Sequence, residues 1–354
     1  MAAKIKVAIL GATGMVGQRF VQLLQDHSWF EISALAASER SVGRPYAEAV
    51  RWKLDTPLPP SVRDLPVLEP KPDLEAHIAF SSLDASVAGP IEEHFAQAGY
   101  AVISNSKNHR MDEDVPLLVP EINSEHLALI ERQQARRGYR KGFIVTNPNC
   151  SATTLSLALA PLERAFGIAS VVVTTLQAVS GAGYPGVPSL DILGNVIPYI
   201  SEEEEKIERE TRKIFGRLRD HTIEFHPMSV SATATRIPVL DGHTESVSVQ
   251  LRTPATLEEI TDALRSYRSL PQQLRLPSAP EHPIVLVEEQ DRPQPRLDVY
   301  REKGMATIVG RVRPCSALGW KFVILGHNTL RGAAGAAILN AELLKAQGFL
   351  RCLE

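Results

Sequence analysis

The chain has 354 residues, 44% of them hydrophobic and 22% charged, with a formal net charge of −3. This is ordinary globular composition; the length allows two domains, and the near-neutral balance gives no electrostatic reason to expect a nucleic acid or a membrane surface as partner. No apolar run approaches the ~20 residues of a bilayer span, and Cys150, Cys315 and Cys352 are too few and too scattered for a disulfide framework or a zinc site, so a metal-free protein of the reducing cytoplasm is expected.

The opening residues, MAAKIKVAIL, show no signal-peptide pattern and enter a β-branched-rich strand over 4–10. A Gly-rich turn and an amphipathic helix over 16–24 follow. Further strands are expected at 30–36, 77–80, 100–104 and 143–147, with a helix over 87–98. Strands alternating with helices predict βαβ units and a parallel sheet, in a first domain spanning 1–150. A helix over 151–166 comes next. Beyond about residue 168 the character changes. A β-rich run covers 170–179, residues 244–252 alternate strictly, and strands are expected at 283–287, 307–312 and 320–325. Few helices separate them, which predicts a second α+β domain, 151–327, on a mixed or antiparallel sheet open on one face. Residues 333–347, rich in Ala, Leu, Glu and Lys, read as a helix. It is expected to return to the first domain, so that 328–354 complete it. Pro-rich patches at 56–60 and 292–296 read as surface loops.

Between the first strand and the first helix lies Gly11-Ala12-Thr13-Gly14-Met15-Val16-Gly17, the context that a dinucleotide-binding turn requires. The first glycine permits the tight turn, the second lets backbone N–H groups approach a pyrophosphate at the positive helix end, and the third allows close helix–strand packing. The parallel sheet is therefore expected to be of the Rossmann type. At the end of the second strand an acid would hold a ribose 2′-hydroxyl. Here Ser38, Glu39, Arg40 and Ser41 stand together. Two hydroxyls and a guanidinium suit a 2′-phosphate and predict NADP, while Glu39 leaves room for NAD.

Cys150 follows Asn147-Pro148-Asn149 and opens a helix, where macrodipole and backbone N–H groups favour a thiolate. A thiolate is the attacking species in covalent acyl transfer; the bland alternative is a buried, inert cysteine, which is how Cys315 and Cys352 are read. His243, at a turn feeding the alternating strand, can serve as acid/base partner with a pKa near 7.

With these pieces placed, the sequence resembles the aspartate-semialdehyde dehydrogenases over nearly its whole length. The stretches that carry the resemblance are GATGMVGQ (11–18), NPNCS (147–151), LQAVSGAGYPG (176–186) and RIPVLDGHTESV (236–247). NPNCS, together with HRMDEDVPLLVPEIN (109–123), is closer to the archaeal and fungal branch than to the enterobacterial one. The resemblance implies that Cys150 forms an acyl-enzyme, that Gln177 orients the substrate, and that His243 is the general acid/base. It implies that Arg236 binds the substrate α-carboxylate as a bidentate fork. Arg110 would hold the phosphate, and Glu203 and Lys206 would meet the α-ammonium and the phosphate. Ser82, Ser180, Gly181, Asn328 and Thr329 would join Gly11, Thr13, Gly14, Met15, Val16, Ser38, Arg40 and Ser41 around the cofactor. From the residues alone, Glu202–Glu205 with Lys206 read equally as a solvated helix face, and Arg110 as a surface charge.

The implied reaction is NADPH-dependent reductive dephosphorylation of L-aspartyl 4-phosphate to L-aspartate 4-semialdehyde, in the biosynthesis of lysine, threonine, methionine and isoleucine. The implied assembly is a homodimer or homotetramer. Malonyl-CoA or succinyl-CoA reduction by the same chemistry, acetylglutamyl-phosphate reduction, and a non-catalytic NADP-binding sensor are the alternatives.

Overall fold

A computed structural model describes residues 3–351. Six strands form the first sheet: β1 (Ile5–Leu10), β2 (Phe30–Ala36), β3 (Val67–Leu68), β4 (Ile78–Ser81), β5 (Ala101–Ser104) and β6 (Phe143–Thr146). Their order is β3-β2-β1-β4-β5-β6 and every neighbouring pair is parallel. Both faces are covered, so β4, β5 and β6 are buried at every position, as continuous apolar runs in parallel sheets are. Helix α1 (Met15–Leu24) and α2 (Ala85–Gln97) are the expected crossovers. Helix α3 (Leu129–Arg137) lies outside the expected set. Its sequence, LIERQQARR, offers only a narrow apolar stripe, Leu129 and Ile130, to a periodicity search.

Helix α4 (Cys150–Phe166) is the central element. Asn149 caps it, its side-chain oxygen accepting from the N–H of Ser151 (2.9 Å) and Ala152 (3.1 Å). Every residue from Ser151 to Leu162 is buried, the pattern of a helix enclosed on all sides.

The second sheet contains β7 (Ile168–Gln177), β10 (Ser229–Arg236), β11 (His243–Leu251), β12 (Ile284–Leu286), β13 (Thr307–Cys315) and β14 (Gly319–Gly326), while β8 (Arg217–Arg219) and β9 (Thr222–Glu224) form a separate hairpin. The order β10-β7-β11-β14-β13-β12 combines parallel outer pairs with an antiparallel centre, the mixed sheet expected. Val171, Val173, Val247, Val249, Phe322 and Ile324 face inward and share a core with Leu155, Leu159 and Leu162 of α4. The opposite face is open, with Val172, Thr174, Ser231, Thr233 and Ser246 exposed.

The expectation of few helices here needs correction. Helix α5 (Glu203–Ile214) packs on β10, and α6 (Leu257–Ser266) packs on β12 and β13. Strand β10 is also new. Its sequence, SVSATATR, puts small side chains on both faces and gives no hydrophobic alternation to detect.

The chain then returns to the first sheet. A π-helical turn (Leu330–Ala334) leads into α7 (Gly335–Ala346), whose Leu339, Leu343 and Leu344 enter the same core as Phe20, Phe30 and Phe80. Arg331 in that turn is fully buried and pairs with the equally buried Glu121. At the far end of β14, a Cβ on Gly326 would lie 2.3 Å from Thr154 Oγ1; the sheet touches α4 there, one turn from Cys150.

Gly326→Ala should therefore destabilise the fold by about 1–3 kcal/mol through overpacking, read by denaturant titration. Adding Thr154→Ala should recover part of that loss, because the two positions share one contact. Strict additivity of the two changes would show that the approach is not tight.

Candidate active site

Three buried side chains lie at one level of the second sheet, at the ends of β7 and β10 and the start of β11. Arg236 of β10 pairs in register with Gln177 of β7, and His243 of β11 with Gly326 of β14. Backbone hydrogen bonds tie the row together. Arg236 Nη1 donates to the carbonyl of Ala178 (2.8 Å), and the N–H of Ala178 donates to His243 Nδ1 (3.1 Å). Facing this row is the first residue of α4, and Cys150 Sγ lies 3.2 Å from His243 Nε2.

The protonation of the pair differs from what the helix position alone predicts. Burial, and then the nearby Glu203 carboxylate, push the Cys150 thiol up to about 12, and the Arg110 and Arg236 charges and the N-terminal backbone contact lower it only in part. Burial and the Arg236 charge pull His243 down to about 3. The free site therefore holds a neutral thiol beside a neutral imidazole. Because Nδ1 accepts from Ala178, the neutral ring keeps its proton on Nε2, aimed at the sulfur. The expected thiolate with a base at pKa near 7 is corrected on both counts: the helix-end field is a fraction of a charge, and removing a whole charge from water outweighs it.

Helix α5 organises the rest, with residues 203, 206, 210 and 213 on one face. Glu203 is buried; its Oε1 accepts from Gln177 Nε2 (3.0 Å) and Asn149 Nδ2 (2.8 Å). Lys206 Nζ is 4.0 Å from Glu203 and 3.5 Å from Glu202. Glu210 binds Arg110 Nη1 (3.0 Å) and accepts from the N–H of Asn149 (2.5 Å). Lys213 Nζ donates to the carbonyls of Arg110, Asp112 and Val115 at 2.7–3.0 Å, and burial lowers it to about 8. The run of acids is thus no uniform solvated face. Glu203 turns into the site, Glu204 accepts from the N–H of Ala234 (2.9 Å), and Glu202 and Glu205 stay exposed. Arg110 is buried rather than a surface charge. Together with Lys107, Lys206, Arg209, Glu202 and Glu205 it lines a cavity of about 410 Å³.

Sequence reading missed Asn149, Glu210 and Lys213. The only signal for Glu210 and Lys213 is the three- and four-residue spacing of charges along α5, which a solvated helix shows equally; Asn149 is signalled by its capping residue type just before the Cys150 helix.

The expected cofactor residues lie in the glycine turn, the turn after β2 and the loops at residues 180–181 and 328–329. A Cβ on Gly11 would lie 2.7 Å from the carbonyl of Ser82, and one on Gly17 would lie 2.2 Å from the carbonyl of Gly11, so this turn admits only glycine at both ends. Gly14 leaves the N-terminus of α1 without a side-chain cap. The N–H groups of Thr13, Met15 and Val16 adjoin that end, an arrangement that suits a pyrophosphate. Ser38, Glu39 and Arg40 are exposed in the turn after β2, and Ser41 closes it, its N–H donating to the carbonyl of Ser38 (2.9 Å). Asn328 Nδ2 donates to Ser180 Oγ (2.8 Å), and the N–H of Gly242 donates to Asn328 Oδ1 (2.9 Å). Arg19 of α1 reaches Thr329 Oγ1 (3.1 Å) and lies 3.7 Å from Asp241, two residues before His243. Gly181 covers the catalytic row: a Cβ there would lie 2.8 Å from Arg236 Nη1 and 3.0 Å from His243 Cε1.

Cys315 is a free thiol at the end of β13, outside this cluster, and Cys352 lies outside the described residues. No group of three or more metal-ligating side chains occurs among the described residues, and no helix there is long and apolar enough to cross a membrane.

With pKa about 12 for the thiol, the rate at which iodoacetamide modifies Cys150 in the free protein should climb about tenfold per pH unit between pH 6 and 9. A plateau by pH 7 would instead reveal a resident thiolate.

Known proteins resemble this chain in sequence and fold. The family described as semialdehyde dehydrogenase, NAD binding domain, matches residues 6–130, and that described as semialdehyde dehydrogenase, dimerisation domain, matches residues 159–331. A protein named aspartate-semialdehyde dehydrogenase from Methanothermobacter thermautotrophicus is 51% identical over 344 residues, covering 96% of this chain and 99% of its own. Its namesake from Cryptococcus neoformans is 49% identical, covering 98% and 99%. The crystal structure of aspartate semialdehyde dehydrogenase with NADP from Candida albicans superposes with a TM-score of 0.91 at 44% identity, over 98% of this chain and 100% of that one.

Proposed function

The chain belongs to the aspartate-semialdehyde dehydrogenase family, and on that premise we propose that it converts L-aspartyl 4-phosphate to L-aspartate 4-semialdehyde with NADPH through a thioester on Cys150. The observation that carries this reading is the 3.2 Å contact of Cys150 Sγ with His243 Nε2 at the head of α4. Around it stand Arg110, Arg236 and Lys206, a charge set that suits an anionic substrate and converts binding into orientation.

In this reading each side chain has a task that its position suits. Arg236 receives the α-carboxylate as a fork, and Glu203, buried beside Gln177, receives the α-ammonium. Gln177 then orients the acyl group. Arg110 and Lys206 hold the phosphoryl group, with Arg110 aligned by Glu210. The Cys150 sulfur attacks the acyl carbon, the acyl–phosphate bond breaks, and the thiol proton leaves with the phosphate. His243 is placed as a hydrogen-bond donor rather than a base at this stage. Its Nε2–H stabilises negative charge on the carbonyl oxygen, first as the thioester forms and again in the tetrahedral adduct after reduction. NADPH, when bound, supplies the hydride that reduces the thioester carbonyl. Collapse of the adduct releases the aldehyde and returns sulfur to Cys150, which takes up a proton.

The residues fit the cofactor. Gly11, Thr13, Gly14, Met15 and Val16 would hold the pyrophosphate at the uncapped end of α1, and Ser38, Arg40 and Ser41 the 2′-phosphate. Ser82, Ser180, Gly181, Asn328 and Thr329 would line the nicotinamide end. Residues 1–150 with 328–354 act in this reading as the cofactor-binding part, and 151–327 as the catalytic and self-association part. The Ser/Thr-rich open face of the second sheet, with Val172 47% exposed, suits a contact between copies in a dimer or a dimer of dimers. A reducing cytoplasm suits an enzyme that depends on a free thiol.

Cys150→Ser should leave NADPH affinity unchanged and lower kcat on the order of 10³-fold or more. His243→Ala should cost roughly 10²–10³-fold in kcat, since it removes the donor from the reacting oxygen. Assaying aspartate semialdehyde with phosphate against malonate semialdehyde with CoA decides the acyl acceptor. Preference for the CoA pair would reject the acyl-phosphate reading, and full turnover by Cys150→Ser would reject covalent catalysis.

A further inference from the structure

The mouth of the cavity beside Arg110 contains one feature that the reaction above does not use. Glu202 precedes α5 in a left-handed conformation (φ 59°, ψ 9°) and makes no side-chain cap to the helix that it introduces. Its carboxylate reaches across the cavity instead. Lys107, from the loop after β5, donates to Glu202 Oε2, and Lys206 Nζ lies 3.5 Å from the same oxygen. Two ammonium groups carried by separate elements thus converge on one anionic oxygen. They do so in the same 410 Å³ cavity that Arg110 lines.

We propose that Glu202 is a displaceable internal counter-anion occupying the phosphoryl subsite, and that Lys107 is a further phosphoryl ligand which Glu202 releases when the substrate arrives. This rests on the acyl-phosphate reading given above. Three physical points support it. The Glu202 carboxylate is more than half exposed, and exposed lysine–carboxylate pairs are weak and easily exchanged. A phosphoryl group offers three oxygens and up to two negative charges, so it satisfies Lys107, Lys206 and Arg110 together, which one carboxylate cannot. Finally, the two lysines already hold the Glu202 carboxyl below its usual range, so the subsite favours an anion before any ligand enters.

The consequence is specific to phosphate. Glu202 competes with the phosphoryl group for Lys107, and neither residue touches the acyl, amino or nicotinamide ends of the site. In the phosphorylating direction, with aspartate semialdehyde, NADP and inorganic phosphate, Lys107→Gln should raise KM for phosphate about tenfold, the change expected from losing one charge-assisted contact. Glu202→Gln should lower it roughly threefold, because the competitor for both lysines is removed. KM for NADP and for the semialdehyde, kcat at saturating phosphate, and the melting temperature should stay close to wild type in both variants. Lys107→Arg should restore phosphate KM. A phosphate KM unchanged in either glutamine variant overturns the proposal, as does a parallel loss of all kinetic constants, which would mark a merely structural ion pair. Wild-type turnover that does not depend on phosphate overturns the acyl-phosphate reading itself, a result distinct from the other two.

Discussion

The chemistry of this protein depends on how closely the head of α4 is pressed against the second sheet. Gly326 lets Thr154 approach from one side, and Gly332, where a Cβ would lie 2.5 Å from the Cβ of Cys150, lets the π turn close from the other. Within this close packing the sulfur meets His243 Nε2 at 3.2 Å. A nucleophile held this way needs no rearrangement to meet its partner, and such pre-alignment is a large share of what an active site contributes to rate. The buried Arg331–Glu121 pair fixes the π turn from behind, so its loss would reach Cys150 without touching it.

Electrostatics follow from that enclosure. A helix N-terminus favours a thiolate, but α4 starts in a half-buried pocket shared with the Glu203 carboxylate. Desolvation wins, and the free site is neutral at sulfur and imidazole alike. This suits an enzyme whose substrate carries its own proton acceptor in the leaving phosphate. In the proposed reaction the thiol remains quiet until an acyl group arrives, and the charge that then develops falls to Arg110, Arg236 and the Nε2–H of His243.

Helix α5 converts one amphipathic segment into a frame for two loops. Glu203 and Glu210 grip the cap of α4 through Asn149, while Glu210 and Lys213 hold the segment that carries Arg110. The Arg110 segment and the head of α4 that carries the sulfur are therefore fixed to the same element. The cofactor side is joined as directly, because Arg19 of α1 contacts both Thr329 and the Asp241 turn that leads into His243.

The sequence by itself determined the parallel sheet, the glycine turn, the central helix with Cys150 at its head, and the strand that begins at His243. Each of these is written in local chemistry: β-branched runs, a Gly-rich turn between strand and helix, a helix opening after Asn147-Pro148-Asn149, strict alternation. It left β10 invisible because Ser, Ala and Thr on both faces of a strand carry no hydrophobic period. It also left the four acids at 202–205 undivided, because charge spacing is the same on a solvated face as on a buried one. Only the tertiary structure decided that Glu203 turns inward while Glu202 turns to the lysines, and that Arg110 is buried against Glu210. The sulfur's protonation was likewise beyond sequence: the helix end that favours its charge is local, whereas the desolvation that opposes it comes from elements far apart in the chain that meet only when folded.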